Sequence, residues 1–328
     1  MDEGELARHV ASLGKRFSIV KKEMGKIVIG QKDIIDFLLQ ALLCDGHVLL
    51  EGIPGVGKTL IIRTLSTITG SSFSRIQFTP DLLPSDIVGI TTYEEGKGFY
   101  TVKGPIFANF VLGDEINRSP PKVQSALLEG MQERQVTIGK ETFQLPKPFF
   151  VMATQNPVEQ LGTYKLPEAQ LDRFLFKLQM SYPTATEEVE ILETNMTTKS
   201  FDSFNLQPVF SAEEIVEAQR IVNNIVLSKK MQQYIIRIVT ATRHAKEYGI
   251  DFGKYINYGA SPRSSIALFI SAKAHALMSG NTVVSPVDIK AVAKPVLRHR
   301  IILNFEGQAE NISSDEIIDE ILKKVPVM

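Results

Sequence analysis

Eight consecutive residues, Gly52-Ile53-Pro54-Gly55-Val56-Gly57-Lys58-Thr59, have the types and spacing to hold phosphate. Glycines at 52, 55 and 57 let the backbone wrap tightly and aim N–H groups inward. The segment follows an apolar run and precedes a helical pattern starting at Leu60, so a helix N-terminus adds partial positive charge. Lys58 is placed to reach the β and γ phosphates of a nucleoside triphosphate, and the Thr59 hydroxyl to take a place on Mg²⁺. The expected nucleotide contacts are therefore Gly52, Pro54, Gly55, Val56, Gly57, Lys58, Thr59 and Leu60.

A second run, Phe110-Val111-Leu112-Gly113-Asp114-Glu115, ends an apolar strand in adjacent carboxylates. Alone, such a pair reads as a solvated strand end or a helix cap. Downstream of a phosphate loop it supplies what that loop lacks: Asp114 to hold Mg²⁺, through water, and Glu115 to draw the proton from an attacking water. PFFVMATQNP (148–157) is a third strand-like run, ending in Thr154-Gln155-Asn156. Asn156 reads either as the polar end of an Asn-Pro turn or as an amide near the γ-phosphate or the attacking water. In Pro167–Phe174, Arg173 either pairs with Asp172 or Glu168, a surface contact of small value, or reaches a neighbouring subunit's γ-phosphate, a role worth about a thousandfold or more in rate.

These residues need a scaffold. Short apolar runs at 47–52, 75–79, 109–115 and 148–155 alternate with helical patterns. That alternation predicts a parallel sheet buried on both faces, an α/β domain. Two hairpins interrupt it, at 90–104 and 135–144, and Gly139-Lys140 suits a type II′ turn. Beyond Pro183 strand signals fade and helical periods take over, several opening on Ser, Thr or Pro start signals. A nucleotide domain over 1–180 with N-terminal helices, followed by an all-helical domain over 181–328, is the expected organisation.

Composition narrows the classes further. Of 328 residues, 44% are hydrophobic and 22% charged, with net charge −1. That balance argues against disorder and against a chain that coats nucleic acid as a monomer. Cys44 is the single cysteine and has no partner for an internal disulfide. The most apolar helical stretch, 266–278, carries Lys273 and His275, so a membrane span is not expected. The N-terminus lacks the pattern of a secretory signal, and a reducing cytoplasm fits the cysteine usage.

The order of these segments, together with Ala260-Ser261-Pro262-Arg263, resembles an AAA+ ATPase. The stretches GDEINRSPPKVQSALLEGMQERQVT (113–137), ATQNPVEQLGTYKLPEAQLDRF (153–174) and LRHRIILNF (297–305) resemble the MoxR family more narrowly. The resemblance implies a P-loop NTPase sheet domain with a C-terminal helical lid. It implies sensor 1 at Asn156, an arginine finger at Arg173 and sensor 2 at Arg263, with Val28 and Ile29 flanking adenine. ATP and Mg²⁺ are the implied cofactors. A finger used in trans requires a head-to-tail contact that closes into a ring, and the resemblance implies a hexamer. It also implies a protein client, a von Willebrand factor A-domain partner, and work of remodelling, maturation or metal insertion. Both hairpins correspond to inserts that face a central pore in related ATPases. A magnesium-chelatase-type subunit and a DNA-directed ATPase are the alternatives.

Other features stay open on sequence alone. Arg118 and Arg134 suit a subunit interface or a solvated face equally. Tyr93, Phe99 and Tyr100 suit cross-strand packing or contact with a client. Arg298-His299-Arg300 suits a charged helix end better than basic recognition.

Overall fold

The structure, a computed structural model, describes residues 2–327 except Pro54, Val56, 158–161 and 195–199. Its contacts group into two compact units. One holds Ser18–Arg173 and Leu178–Glu217; the other holds Met1–Phe17, Phe174–Lys177 and Ala218–Met328.

Eleven strands occur among the described residues: β1 (Val48–Gly52), β2 (Phe73–Gln77), β3 (Gly89–Glu94), β4 (Gly98–Lys103), β5 (Phe110–Asp114), β6 (Gln135–Ile138), β7 (Glu141–Gln144), β8 (Phe150–Gln155), β9 (Phe176–Met180), β10 (Ile256–Tyr258) and β11 (Ile302–Leu303). Five of them form one sheet in the order β2-β5-β8-β1-β9. Within it β2 and β5, β5 and β8, and β1 and β8 run parallel. Every residue of β5 is buried, as are Val48–Leu50 of β1 and Phe150–Thr154 of β8. Their continuous apolar character therefore reflects cover on both faces. The Phe110 and Phe150 rings lie 5.5 Å apart across the β5–β8 pair.

This order brings three chain segments together at the carboxyl edge of adjacent strands. The glycine loop leaves β1, Asp114-Glu115 ends β5, and Asn156 follows β8, with β8 paired to both of the others. Ligands of open α/β sheets bind at such an edge.

β9 falls on a segment that was not expected to form a strand. Phe176, Leu178 and Met180 are buried while Lys177 and Gln179 are not. That alternation marks a strand, but its polar members interrupt the apolar run. Both hairpins form: β3 pairs with β4 from Gly89↔Lys103 to Glu94↔Gly98, and β6 with β7 from Gln135↔Gln144 to Ile138↔Glu141. Gly139 takes φ 61°, as the first central position of a II′ turn requires.

The other unit is helical. Lys229–Ala241, Pro262–Met278, Pro286–Leu297 and Ser314–Lys324 bury apolar faces. Capping boxes at Ser285/Asp288 and Ser313/Glu316 fix two of the helix starts. This unit also carries a short antiparallel ribbon, β10 with β11. Among the described residues, no helix is long and apolar enough to cross a membrane.

His47, just before β1, is fully enclosed. Its Nδ1 accepts from the Val151 N–H at 3.1 Å, which places the ring proton on Nε2, 3.2 Å from the Met131 carbonyl. Burial, and then the charge of Arg134, push its pKa well below the ordinary 6.5. His299 in the helical unit is depressed the same way, by burial and then Arg300. A group depressed on folding contributes stability that is complete above its unfolded pKa and lost as pH falls below it. Each histidine therefore costs about 1.4 kcal/mol per pH unit below about 6.5 until its folded pKa is reached. The urea midpoint is expected to be lower at pH 5 than at pH 7. His47→Gln, which can make both hydrogen bonds without titrating, should flatten that loss; an unchanged pH slope would remove His47 as a cause.

Candidate active site

The loop after β1 is shaped by its glycines. Gly55 and Gly57 both take φ 84°, a conformation L side chains rarely adopt. Gly57 caps the helix Lys58–Ile68. At Gly52 the constraint is space instead: a Cβ would lie 3.0 Å from the Met180 Cβ and 3.3 Å from its carbonyl oxygen. Lys58 Nζ donates to the Gly52 carbonyl at 2.6 Å, which folds the lysine back across the loop. Thr59 is the next residue of that helix. Pro54 and Val56 lie outside the described residues.

Beside the loop lies a cavity of about 370 Å³, within the size range of small-molecule sites. Val28, Ile29, Gly55, Gly57 and Leu60 line it, joined by Ile27, Ile61, Tyr182, Pro183 and Ile191. The walls are mostly apolar, as a planar nucleobase requires. The wall from Tyr182 to Ile191 was not among the expected site residues. Tyr182 and Pro183 follow β9 directly, so their position depends on that strand.

The carboxylates are held by a network. Asp114 is buried at the end of β5. Its Oδ1 accepts the Thr154 hydroxyl at 2.7 Å, and its Oδ2 accepts Arg75 Nη2 at 2.6 Å. Glu115 takes the left-handed conformation, φ 56° and ψ 48°, an uncommon state for a residue with a side chain. Its N–H donates to Thr154 Oγ1 at 2.9 Å, so one hydroxyl ties both carboxylate residues to β8. The Glu115 carboxylate accepts Gln77 Nε2 at 3.0 Å and pairs with Arg118 Nε at 3.1 Å.

Arg75, Gln77 and Thr154 were not among the expected site residues. Arg75 and Gln77 share a face of β2 by their two-residue spacing, and the register sets Gln77 opposite Asp114. Arg118 is thus engaged at the site.

Thr59 and Asp114 offer hydroxyl and carboxylate oxygens, the donor set of a hard divalent cation. Asp114 already attracts a cationic group, Arg75. The residues present therefore fit Mg²⁺.

Asn156 is buried directly after β8. Arg173 follows the short helix Glu168–Leu171, and its Nη1 donates to the Leu128 carbonyl at 2.8 Å. Arg263 is the second residue of the helix Pro262–Met278, after Ser261, and belongs to the helical unit.

Two open readings resolve as internal anchors. Arg134 donates to the Phe149 carbonyl at 2.6 Å and pairs with Asp45 at 3.0 Å, so it ties its own unit together. Arg298 pairs with Asp315 at 2.8 Å, while His299 and Arg300 are buried against the Phe174 carbonyl. Tyr93 and Phe99 face each other across the first hairpin, ring centroids 5.3 Å apart. Both remain exposed, at 63% and 79%.

Residues 47–176 match the ATPase family associated with various cellular activities (AAA), and residues 252–321 match the AAA lid domain. The chain is 45% identical over 305 residues to Chaperone MoxR1 of Mycobacterium tuberculosis, covering 92% of this chain and 80% of that protein. It is 47% identical over 309 residues to the uncharacterized protein YeaC of Bacillus subtilis, covering 93% of each. A crystal structure of a protein from Cytophaga hutchinsonii superposes with a TM-score of 0.91 at 47% identity, covering 99% of this chain and 98% of that one.

Proposed function

The chain belongs to the MoxR family of AAA+ ATPases, and from that premise we propose that it couples Mg²⁺-dependent ATP hydrolysis to the remodelling or maturation of a protein client. The observation that carries this reading is the 45% identity to Chaperone MoxR1 across 92% of the chain. Support at the site comes from the apolar cavity beside the glycine loop and the anchored carboxylate pair.

In this reading the base lies against Val28 and Ile29, and Lys58 draws the phosphates onto the loop. Thr59 and Asp114 hold Mg²⁺, which neutralises charge on the phosphate oxygens. Glu115 accepts the proton of the attacking water, and Asn156 orients that water. Arg173 supplies positive charge to the adjoining subunit's γ-phosphate. Arg263 reports the γ-phosphate to the lid. A finger in trans needs a head-to-tail neighbour, a contact that makes a ring when it closes, and a ring of six copies is the family-based proposal. Exposed Tyr93 and Phe99 are the proposed contacts to a client. A von Willebrand factor A-domain protein is the proposed partner, and the cytoplasm the proposed compartment.

A trans finger makes a specific forecast. Arg173→Ala and Glu115→Gln should each hydrolyse ATP poorly, yet mixing them should recover part of the rate. Hybrid interfaces then pair an intact Glu115 with an intact Arg173. No recovery in mixed rings verified by mass would exclude action in trans. Capture on the Glu115→Gln form in ATP tests the client reading, which expects a bound protein. Strong stimulation of ATP turnover by DNA would instead favour a DNA-directed ATPase.

A further inference from the structure

Asp114 is not idle in this structure. Arg75 reaches its Oδ2 twice, through Nε at 3.2 Å and Nη2 at 2.6 Å, while Oδ1 takes the Thr154 hydroxyl. The pair is asymmetric: the Asp114 side chain is 12% exposed and that of Arg75 48%. The acid is fixed in the sheet and the base stands at the solvent side. Arg75 Nη2 also donates to Gln77 Oε1, and Gln77 donates in turn to Glu115. The guanidinium thus has a second acceptor within reach when it leaves the carboxylate.

We propose that Arg75 is a built-in counter-ion that competes with the nucleotide's divalent cation for Asp114. The proposal rests on the reading of Asp114 as the carboxylate that faces the metal. Three physical points carry it. A largely buried carboxylate with no cation is costly, so Asp114 needs a partner when no metal is bound. A guanidinium and a divalent cation drawn to the same carboxylate repel each other, so gaining one weakens the other. The half-exposed base is the partner that can move at low cost, because water replaces what it loses while Gln77 can keep its bond. Arg75 therefore sets how much Mg²⁺ is needed before nucleotide binds tightly. It acts through Asp114, as a positioning residue.

The test is the free Mg²⁺ concentration at half-maximal affinity for a fluorescent ADP analogue, measured on the full chain. For the wild type, affinity should rise with Mg²⁺, and Asp114→Asn should lose that rise. Arg75→Gln should lower the Mg²⁺ midpoint by about two- to fivefold, the scale of one half-exposed ion pair removed as competitor. The same variant should melt earlier than wild type in EDTA and regain more on adding Mg²⁺ with the ADP analogue. Arg75→Lys, which keeps the charge but loses the fork, should give a smaller shift in the same direction. It serves as the test if Arg75→Gln does not fold.

A midpoint unchanged or raised in both Arg75 variants, with the Asp114→Asn effect intact, would overturn the counter-ion alone. A rise with Mg²⁺ that survives Asp114→Asn would overturn the metal reading of Asp114 and the counter-ion with it.

Discussion

Glu115→Gln is expected to bind ATP with near wild-type affinity and to hydrolyse it at least about a hundredfold more slowly. A positioned general base contributes roughly 10²–10⁴ in rate, and an amide of the same shape cannot take a proton from water. The structure explains why binding should survive. The Glu115 backbone is held by its N–H to Thr154 Oγ1 at 2.9 Å, a bond the substitution leaves alone. The carbonyl end of a glutamine can still accept from Gln77 Nε2, which now lies 3.0 Å from the carboxylate. The contact with Arg118 loses its charge, a small term for a partly exposed pair. Single-turnover hydrolysis alongside a fluorescent-ATP titration separates the two effects. Turnover at the wild-type level would show that Glu115 is not the base.

Local chemistry explains which parts of this site could be read from sequence. The glycine loop, Asp114-Glu115 and Asn156 each sit in a contiguous run, where residue types and order along the chain are enough to propose a role. The network around Asp114 is different, because it depends on which strands are neighbours. Arg75 and Gln77 matter only because β2 lies beside β5 in register, with Gln77 opposite Asp114. No local pattern in RIQFT carries that pairing.

Similarly, the wall at Tyr182, Pro183 and Ile191 follows β9, whose Lys177 and Gln179 hide the strand in a broken apolar run. The β10–β11 ribbon was invisible for a simpler reason. Its strands are three and two residues long, too short to show alternation. Sequence leaves Arg134 between a subunit interface and a solvated face and favours a charged helix end for Arg298, but it cannot name their partners. Those partners, the Phe149 carbonyl and Asp315, come from distant parts of the chain.

Lys58→Ala is expected to weaken ATP binding by at least about a hundredfold, and to abolish hydrolysis with it. In the structure Lys58 Nζ donates to the Gly52 carbonyl at 2.6 Å, so the ammonium lies at the start of the glycine loop. Charge-assisted hydrogen bonds contribute about 1.5–3 kcal/mol each, and two lost to the phosphates give an effect of that size or more. Alanine suits a helix start, and Gly57 still caps the helix from its left-handed conformation. The fold should therefore persist, with far-ultraviolet circular dichroism unchanged. Isothermal titration with ATP and Mg²⁺ reads the loss directly. Near-normal affinity in a folded variant would refute the phosphate-loop assignment. Lys58→Arg makes the sharper contrast. It keeps the charge but exchanges a compact ammonium for a planar fork. Partial binding with little hydrolysis is its expected outcome, since the β and γ oxygens then find charge without the lysine's geometry.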